Sequence, residues 1–510
     1  MNNYSFPAGW AKISIKKWEQ NLRNKPESYW TTRGQLRALG LFKKMAVEVP
    51  AYKHFLRKHK INPDKIKNIN DFKEVPPTDK NNYLRQYSLK DVCWEDDTKT
   101  GQWIFSATSG TTGEPFYFPR SQAQDRQYAL LAELYLRTNF QIHKRSTLYI
   151  NGFAMGIWIG GLFTYQAIRH VAESGKYRLS IISPGLNKTQ IIEAVKKLGP
   201  HFDQIIIGGY PPFTKDVIDE GILAGLNWKR YDLGFIFSAE SFSEKFRDYI
   251  IKKTGLKNKY LGTLNHYGTV DQGTLAYETP ISILIRRLAL KNKNLMEPIF
   301  GQTNRLPTLG QYLPEMFYFE ASKGQLFCSA FSGIPLARYD LKDRGGLIPF
   351  SQTKNIFKQA KVNLNETAKK YGIYKTLWNL PFVYVYERTD LALSWYGANI
   401  YPEHIKEAHQ HPQINKHLTG KFSMELTYDQ KHNPLLNIHC ELQKNRKPTK
   451  KLLDKLSQLI LYTLLEKNSE FKNNYLTLPH KNTPRIKLWG HETKPHFGGN
   501  GKQKWAIKNS

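Results

Sequence analysis

Ten residues near position 110 have the make-up of an anion cradle. Ser106-Ala-Thr-Ser-Gly-Thr-Thr-Gly-Glu-Pro115 carries five hydroxyl side chains and two glycines directly after the apolar run Gln102-Trp-Ile-Phe105. Small residues let phosphate oxygens approach consecutive backbone N–H groups, and the hydroxyls add donors. The string is not a Walker loop, because G-x-x-x-x-G-K-[ST] is absent and Glu114 follows Gly113. Three more strings follow in order. Asn265-His-Tyr-Gly-Thr-Val-Asp271 combines an aromatic face, a glycine and a carboxylate, suited to stacking a base and holding a metal. Arg338-Tyr-Asp-Leu-Lys-Asp343 sets a carboxylate beside a turn, suited to gripping ribose hydroxyls. Glu387-Arg-Thr-Asp390 precedes Gly397-Ala-Asn-Ile-Tyr-Pro402. Each string alone also reads as an ordinary turn, charge cluster or linker. Their fixed order argues for one site.

The elements that must position these strings alternate in type. STLYING, YRLSIIS, QIIIGGY, LGFIFSAE and KYLGTLNHYG read as strands, with helical periodicity in TQIIEAVKKLG and SEKFRDYIIKKTG between them. That alternation predicts an α/β domain with mostly parallel sheets. Residues 10–90 read as a helical preface and 351–377 as a lysine-rich helical insertion. After Arg388 the pattern resets to strand, short helix, two strands (KFSMELTY, LLNIHCEL), a long helix over 449–466 and a Gly- and Lys-rich tail. The expected organisation is therefore a large N-terminal domain, 1–389, and a small α+β C-terminal domain, 390–510.

Bulk composition bounds the class. The chain has 510 residues, 40% apolar and 13% aromatic, ample for two or three folded units. Its net charge of +32 raises nucleic acid, anionic membrane or anionic small ligands as partners. The basic residues are spread out, with no block of five or six in a row, so nucleic acid is not the expected partner. Cys93, Cys328 and Cys440 are too far apart in sequence for a CxxC pair, which fits a reducing compartment. No signal-like apolar run opens the sequence. The uncharged stretch Ser146–Ile168 is long enough to span a bilayer, yet it holds Asn151, Gln166 and four glycines and reads as a buried loop and helix. The expectation is a cytoplasmic protein without a membrane partner.

In order and type, the four strings resemble those of the adenylate-forming (acyl-CoA synthetase) superfamily, and most closely its phenylacetate–CoA ligase-like branch with the capsular biosynthesis proteins of that type. SGTTGEP is similar to the family's phosphate loop, HYGTVD to its adenine and magnesium motif, RYDLKD to its ribose motif, and ERTD with YGANIYPEHI to the hinge of its C-terminal lid. The preface VPAYKHFLRKHKINPDKIKNINDFKEVPPTDK resembles that branch's N-terminal stretch. The resemblance implies that Ser109, Gly110, Thr111, Thr112 and Gly113 wrap the phosphates of ATP. It implies that His266, Tyr267 and Gly268, with Thr269, line the adenine site, that Asp271 stands in for the usual glutamate on Mg²⁺, that Asp343 binds the ribose, and that Arg388 contacts the nucleotide beside the hinge at Asp390. GGNGKQKW matches the place of the adenylation lysine, making Lys502 the first candidate and Lys504 the second. Glu240 falls where relatives carry a Gly-Glu pair.

The implied reaction joins a carboxylic acid, with aryl acids a candidate class by the branch, to ATP. It gives an acyl-adenylate and pyrophosphate, then transfer to a thiol, coenzyme A in the relatives; a carrier-protein thiol or an amine are the alternatives. Departures from the family pattern are Val270 for a hydroxyl residue, Asp271 for glutamate, Leu341-Lys342 for Thr-Gly, Glu114 for lysine and Ser394 for lysine. They leave two rival readings in other classes: a catalytically degenerate binding protein and, from the charge, a nucleic-acid binder.

Overall fold

The computed structural model describes residues 10, 12–94, 101–108, 116–301, 306–388, 392–409, 411–478, 482–497 and 506–507. The phosphate-loop candidates Ser109, Gly110, Thr111, Thr112 and Gly113, the hinge candidate Asp390, and the lysines Lys502 and Lys504 lie outside the described residues. The Arg388 side chain does too.

An antiparallel pair, β1 (Ile104–Ala107) and β2 (Tyr117–Arg120), brackets the hydroxyl-rich loop. Four strands then alternate with helices: β3 (Thr147–Asn151), β4 (Leu179–Ile182), β5 (Gln204–Gly209) and β6 (Leu233–Phe237). A fifth, β7 (Thr263–Thr269), joins them, and the pairings β4·β3, β3·β5, β5·β6 and β6·β7 are all parallel. β3, β5 and β6 are buried on both faces, as their β-branched and aromatic runs require. Tyr149, Ile206, Ile236 and Leu264 face helices Gln122–Phe140 and Ile159–Glu173. Ile150, Ile205, Ile207 and Phe235 face the helices on the other side. The crossover helices start where local chemistry caps them: the Asn187 and Ser243 side chains accept N–H bonds at the heads of Lys188–Leu198 and Glu244–Thr254.

Beyond β7 the sheet changes character. β8 (Gly273–Tyr277) turns back antiparallel on β7 and is followed in space by β9 (Thr308–Gln311), β13 (Phe382–Arg388), β12 (Leu336–Ile348), β11 (Gln325–Ala330) and β10 (Phe317–Ser322), every pairing antiparallel. The α/β class stands, but parallel pairing is confined to one half of this eleven-stranded sheet. The turns β7–β8, β10–β11 and β11–β12 are too short to return a strand parallel, whereas the connections 278–307 and 349–381 are long and carry helices before β9 and β13. The uncharged stretch at 146–168 is β3, a loop and the start of a helix. Among the described residues no helix is long and apolar enough to cross a membrane.

The remaining chain builds a hairpin, β14 (Leu393–Trp395) and β15 (Ala398–Ile400), then a sheet of β16 (Leu418–Tyr428), β17 (Pro434–Leu442), β18 (Arg485–Trp489) and β19 (Ala506–Ile507), packed by helix Lys450–Lys467. In the hairpin, Tyr396 and Gly397 both have positive φ, +50° and +85°, the geometry that matches a two-residue turn to strand twist. One apolar cluster runs from Ile207, Tyr210 and Phe237 through Trp395 and Tyr396 to Met424 and Leu464. Packing is thus continuous across the break in sequence pattern.

The two halves of the large sheet are fastened by buried charge. Glu278, just past β8, accepts from Arg247 Nη2 at 2.8 Å and from Arg286 Nη1 at 2.6 Å, while Arg247 also donates to Glu244 at 2.9 Å. Both guanidiniums and Glu278 are sealed from solvent. Removing Glu278 leaves two buried guanidiniums, Arg247 and Arg286, sharing the carboxylate of Glu244, which lies 2.9 and 2.8 Å from them. Glu278→Ala is expected to cost about 3–5 kcal/mol, read as a lower urea midpoint with an unchanged slope.

Candidate functional site

The expected strings converge on one cavity of about 1630 Å³ between the ends of β7 and β12 and the β14–β15 hairpin. β7 carries its motif into this space. Gly268 is required there, because a Cβ would lie 2.5 Å from the Gly273 carbonyl oxygen across the β7–β8 pair. Thr269 Oγ1 accepts the Gln272 N–H at 3.2 Å and closes the turn that holds Val270 and Asp271.

Tyr267 lies on one face of β7, stacked near Phe319, and its hydroxyl donates to Asp343 Oδ2 at 2.7 Å. Asp343 is on β12, directly across from Arg388 in the β12–β13 register. Residues 76 and 45 positions apart in sequence are thus brought side by side. His266 faces the other way. Its ring sits among Tyr135, Tyr128 and Tyr277, with centroids 4.9, 6.3 and 6.4 Å away, and burial pushes its pKa down to about 3. Strand alternation therefore separates two residues expected to line a single adenine site.

Two departures from the family pattern have a backbone explanation. Lys342, where Thr-Gly is common, has φ +58°, and Ala239, where Gly-Glu is common, has φ +72°. Both hold the left-handed conformation that glycine takes freely and other residues take at a cost. At Lys342 ion pairs offset the cost: its ammonium lies 2.7 Å from both Asp79 and Asp340. Ala239 has no such group. Its neighbour Glu240 points its carboxylate at the hairpin and accepts the Gly397 N–H at 2.6 Å, and Asn265 Nδ2 donates to the Glu240 carbonyl at 3.0 Å. Burial pushes the Glu240 carboxyl up to about 8. A Cβ at Gly397 would also meet the Tyr210 ring at 2.9 Å, so this turn docks only as glycine.

Asp271, the magnesium candidate, is nearly buried, and Lys80 Nζ lies 3.2 Å from its Oδ1. Among the described residues no three potential ligands surround a common point. One carboxylate beside a cavity suits a cation that carries its other oxygens on phosphates; it is not a resident cage. Lys80, Tyr128 and the Glu240–Gly397 contact were not picked out by spacing. Lys80 enters on the preface, where Thr78 pairs with β12 through Asp340 N–H at 2.8 Å, and Tyr128 comes from a helix. No local pattern marks either one. The glycine positions of the family pattern were the available signal for Ala239 and Lys342.

No protein-family model matches the sequence, and no curated protein matches it. Solved structures do. 2-Hydroxyisobutyryl-CoA ligase with 2-HIB-AMP and CoA, in its thioesterification state, aligns over 96% of this chain and 92% of its own, with TM-score 0.63 and 14% identity. The fold is that of the adenylate-forming ligases. The same ligase in its postadenylation state with R3-HIB-AMP aligns over the same shares at TM-score 0.53 and 14% identity. Its open conformation gives 0.50, at 13% identity over 96% and 94%. The adenylate-forming fold here thus includes the C-terminal unit.

Two substitutions probe the loop at Glu240. Ala239→Gly relieves the left-handed strain and gives back part of the gain through a freer unfolded chain, so a net stabilisation of about 0.5–1 kcal/mol is expected in thermal unfolding. Folded Glu240 keeps its proton up to about pH 8, whereas unfolded glutamate loses it near the ordinary value. Its contribution is complete at low pH, declines as pH rises between those values and is gone above the upper one. Melting temperature between pH 5 and 9 is expected to fall more steeply for wild type than for Glu240→Gln, which cannot ionise.

Proposed function

We propose that this chain is an ATP-dependent ligase that activates a carboxylic acid, with aryl acids as one candidate class, as its acyl-adenylate and passes the acyl group to the thiol of coenzyme A in the cytoplasm. Residues 1–389 form the adenylating domain and 390–510 the lid. The observation that carries the reading is the convergence of Tyr267, Asp343 and the β13 end at Arg388 on one cavity, reached from three sequence-distant strings. The likeness to a ligase solved with 2-HIB-AMP and CoA supports a thiol acceptor.

In this reading Ser109, Gly110, Thr111, Thr112 and Gly113 hold the phosphates, and Mg²⁺ arrives with the nucleotide as part of the substrate, near Asp271. Tyr267, Gly268 and Thr269 border the adenine, Asp343 takes ribose hydroxyls and Arg388 supports them. A carboxylate oxygen of the acid attacks the α-phosphorus, and the bond to pyrophosphate breaks as the new P–O bond forms. Lys502, with Lys504 as the second candidate, bridges the carboxylate and the α-phosphate where charge develops. In the second half the CoA sulfur attacks the acyl carbon, the mixed-anhydride C–O bond breaks, AMP leaves, and the thiol proton passes to solvent. Rotation about Asp390 separates the halves, and the Glu240–Gly397 contact steadies the lid in one of them.

Acid-dependent exchange of labelled pyrophosphate into ATP is the test, run over aryl, fatty and hydroxy acids with wild type and Lys502→Ala. Exchange with at least one acid, lowered roughly 10²–10³-fold in the variant, and CoA-dependent release of AMP with that acid are expected. Exchange surviving in Lys502→Ala moves the role to Lys504. Absence of ATP binding overturns the reading and favours a binding protein.

A further inference from the structure

At one wall of the cavity, helices Gln122–Phe140 and Ile159–Glu173 face β7 and β8, and Tyr128, Phe163, Thr164, His266 and Thr274 line the space between them. Phe163 stacks on Tyr128 with centroids 4.3 Å apart and the planes at 22°, which makes a flat apolar side. The other lining groups are polar. Tyr128 brings its hydroxyl beside those of Thr164 and Thr274, and the buried His266 Nε2 has no hydrogen-bond partner among the described residues. Burial keeps the imidazole neutral, so it offers one donor and one acceptor and no charge.

A wholly apolar ligand would seal these groups away from water without giving His266 a partner, which is costly for a buried polar atom. A second carboxylate would fare no better. Arg120, with its guanidinium carbon 4.8 Å from the Phe163 ring centroid, is already bonded to Ser106 and lies 3.7 Å from Asp125, so its charge is offset. What fits is a neutral oxygen able to give or take a hydrogen bond. Position follows from the strand: His266 is three residues before Thr269, hence about 10 Å back from the motif's turn at about 3.3 Å per residue. A ring or a chain of several atoms spans that distance.

Resting on the reading above, we propose that the acid taken by this site carries a neutral hydrogen-bonding oxygen, a hydroxyl or a carbonyl, at the end away from its carboxyl, held by His266 and Tyr128. A site built to pair a polar group rejects the analogue lacking it far more strongly than an apolar pocket rejects an added group.

The test is pyrophosphate exchange with matched pairs: 4-hydroxyphenylacetate against phenylacetate, 4-hydroxycinnamate against cinnamate and 6-hydroxyhexanoate against hexanoate. Adipate serves as the distal carboxylate. At least one hydroxylated acid is expected to exceed its partner at least tenfold in kcat/KM, and adipate to fall below 6-hydroxyhexanoate. Tyr128→Phe and His266→Phe are expected to narrow that ratio towards one while retaining ATP binding, which shows that the variants are folded. Equal or better exchange with every unsubstituted acid, preference for adipate, or an unchanged ratio in both folded variants overturns the proposal and leaves adenylation intact. No exchange with any acid in the wider panel removes the adenylation reading, and this proposal with it.

Discussion

The buried carboxylate of Glu278 ties together the parts that build the site. It stands where the large sheet passes from parallel to antiparallel pairing, and it holds Arg247 on one helix and Arg286 on the next. Charges that far from water are tolerated only when each has its partner in place, so the helices and β8 have one allowed arrangement. β7 is paired to β8 and inherits that arrangement. Since β7 delivers Tyr267, His266 and the turn at Asp271, the geometry of the cavity depends on this cluster although none of its members belongs to the expected strings.

A single strand then serves two chemistries through its period of two. Tyr267 turns to Asp343 and the β12–β13 end, and His266 turns to a cage of tyrosines. The first face is polar, partly open and anchored by a hydrogen bond. The second is closed, neutral and lined by hydroxyls. In the proposed reaction this lets a nucleotide and an acid occupy opposite sides of the same backbone, with the reacting atoms meeting at its end.

Backbone conformation is held where side-chain identity has drifted. Ala239 and Lys342 both take the positive φ that glycine favours. The strain is kept because the carboxylates that follow, Glu240 and Asp343, are thereby aimed at the hairpin and at Tyr267. Drift at these positions therefore does not by itself argue for a degenerate site. The hairpin answers with a Tyr-Gly turn whose N–H meets Glu240, so this contact is specified by backbone on one side and by one buried acid on the other.

Element type was legible along much of this chain. The runs around Ile150, Ile206, Phe235 and Leu264 are β-branched or aromatic on both faces, and only a strand covered on both sides accommodates them. The reset after Arg388 was legible in the same way. The order of the four strings also pointed to the fold, which is shared with a ligase only 14% identical. What tertiary structure alone decided is what depends on residues far apart. The return of strands after Thr269 as antiparallel neighbours, the pairing of Asp271 with Lys80, the opposite facing of His266 and Tyr267, and the docking of Gly397 on Tyr210 and Glu240 all arise from contacts across the fold. Local propensity carries no information about a partner a hundred residues away. Period and composition say which face of an element is buried; only the packed chain says against what.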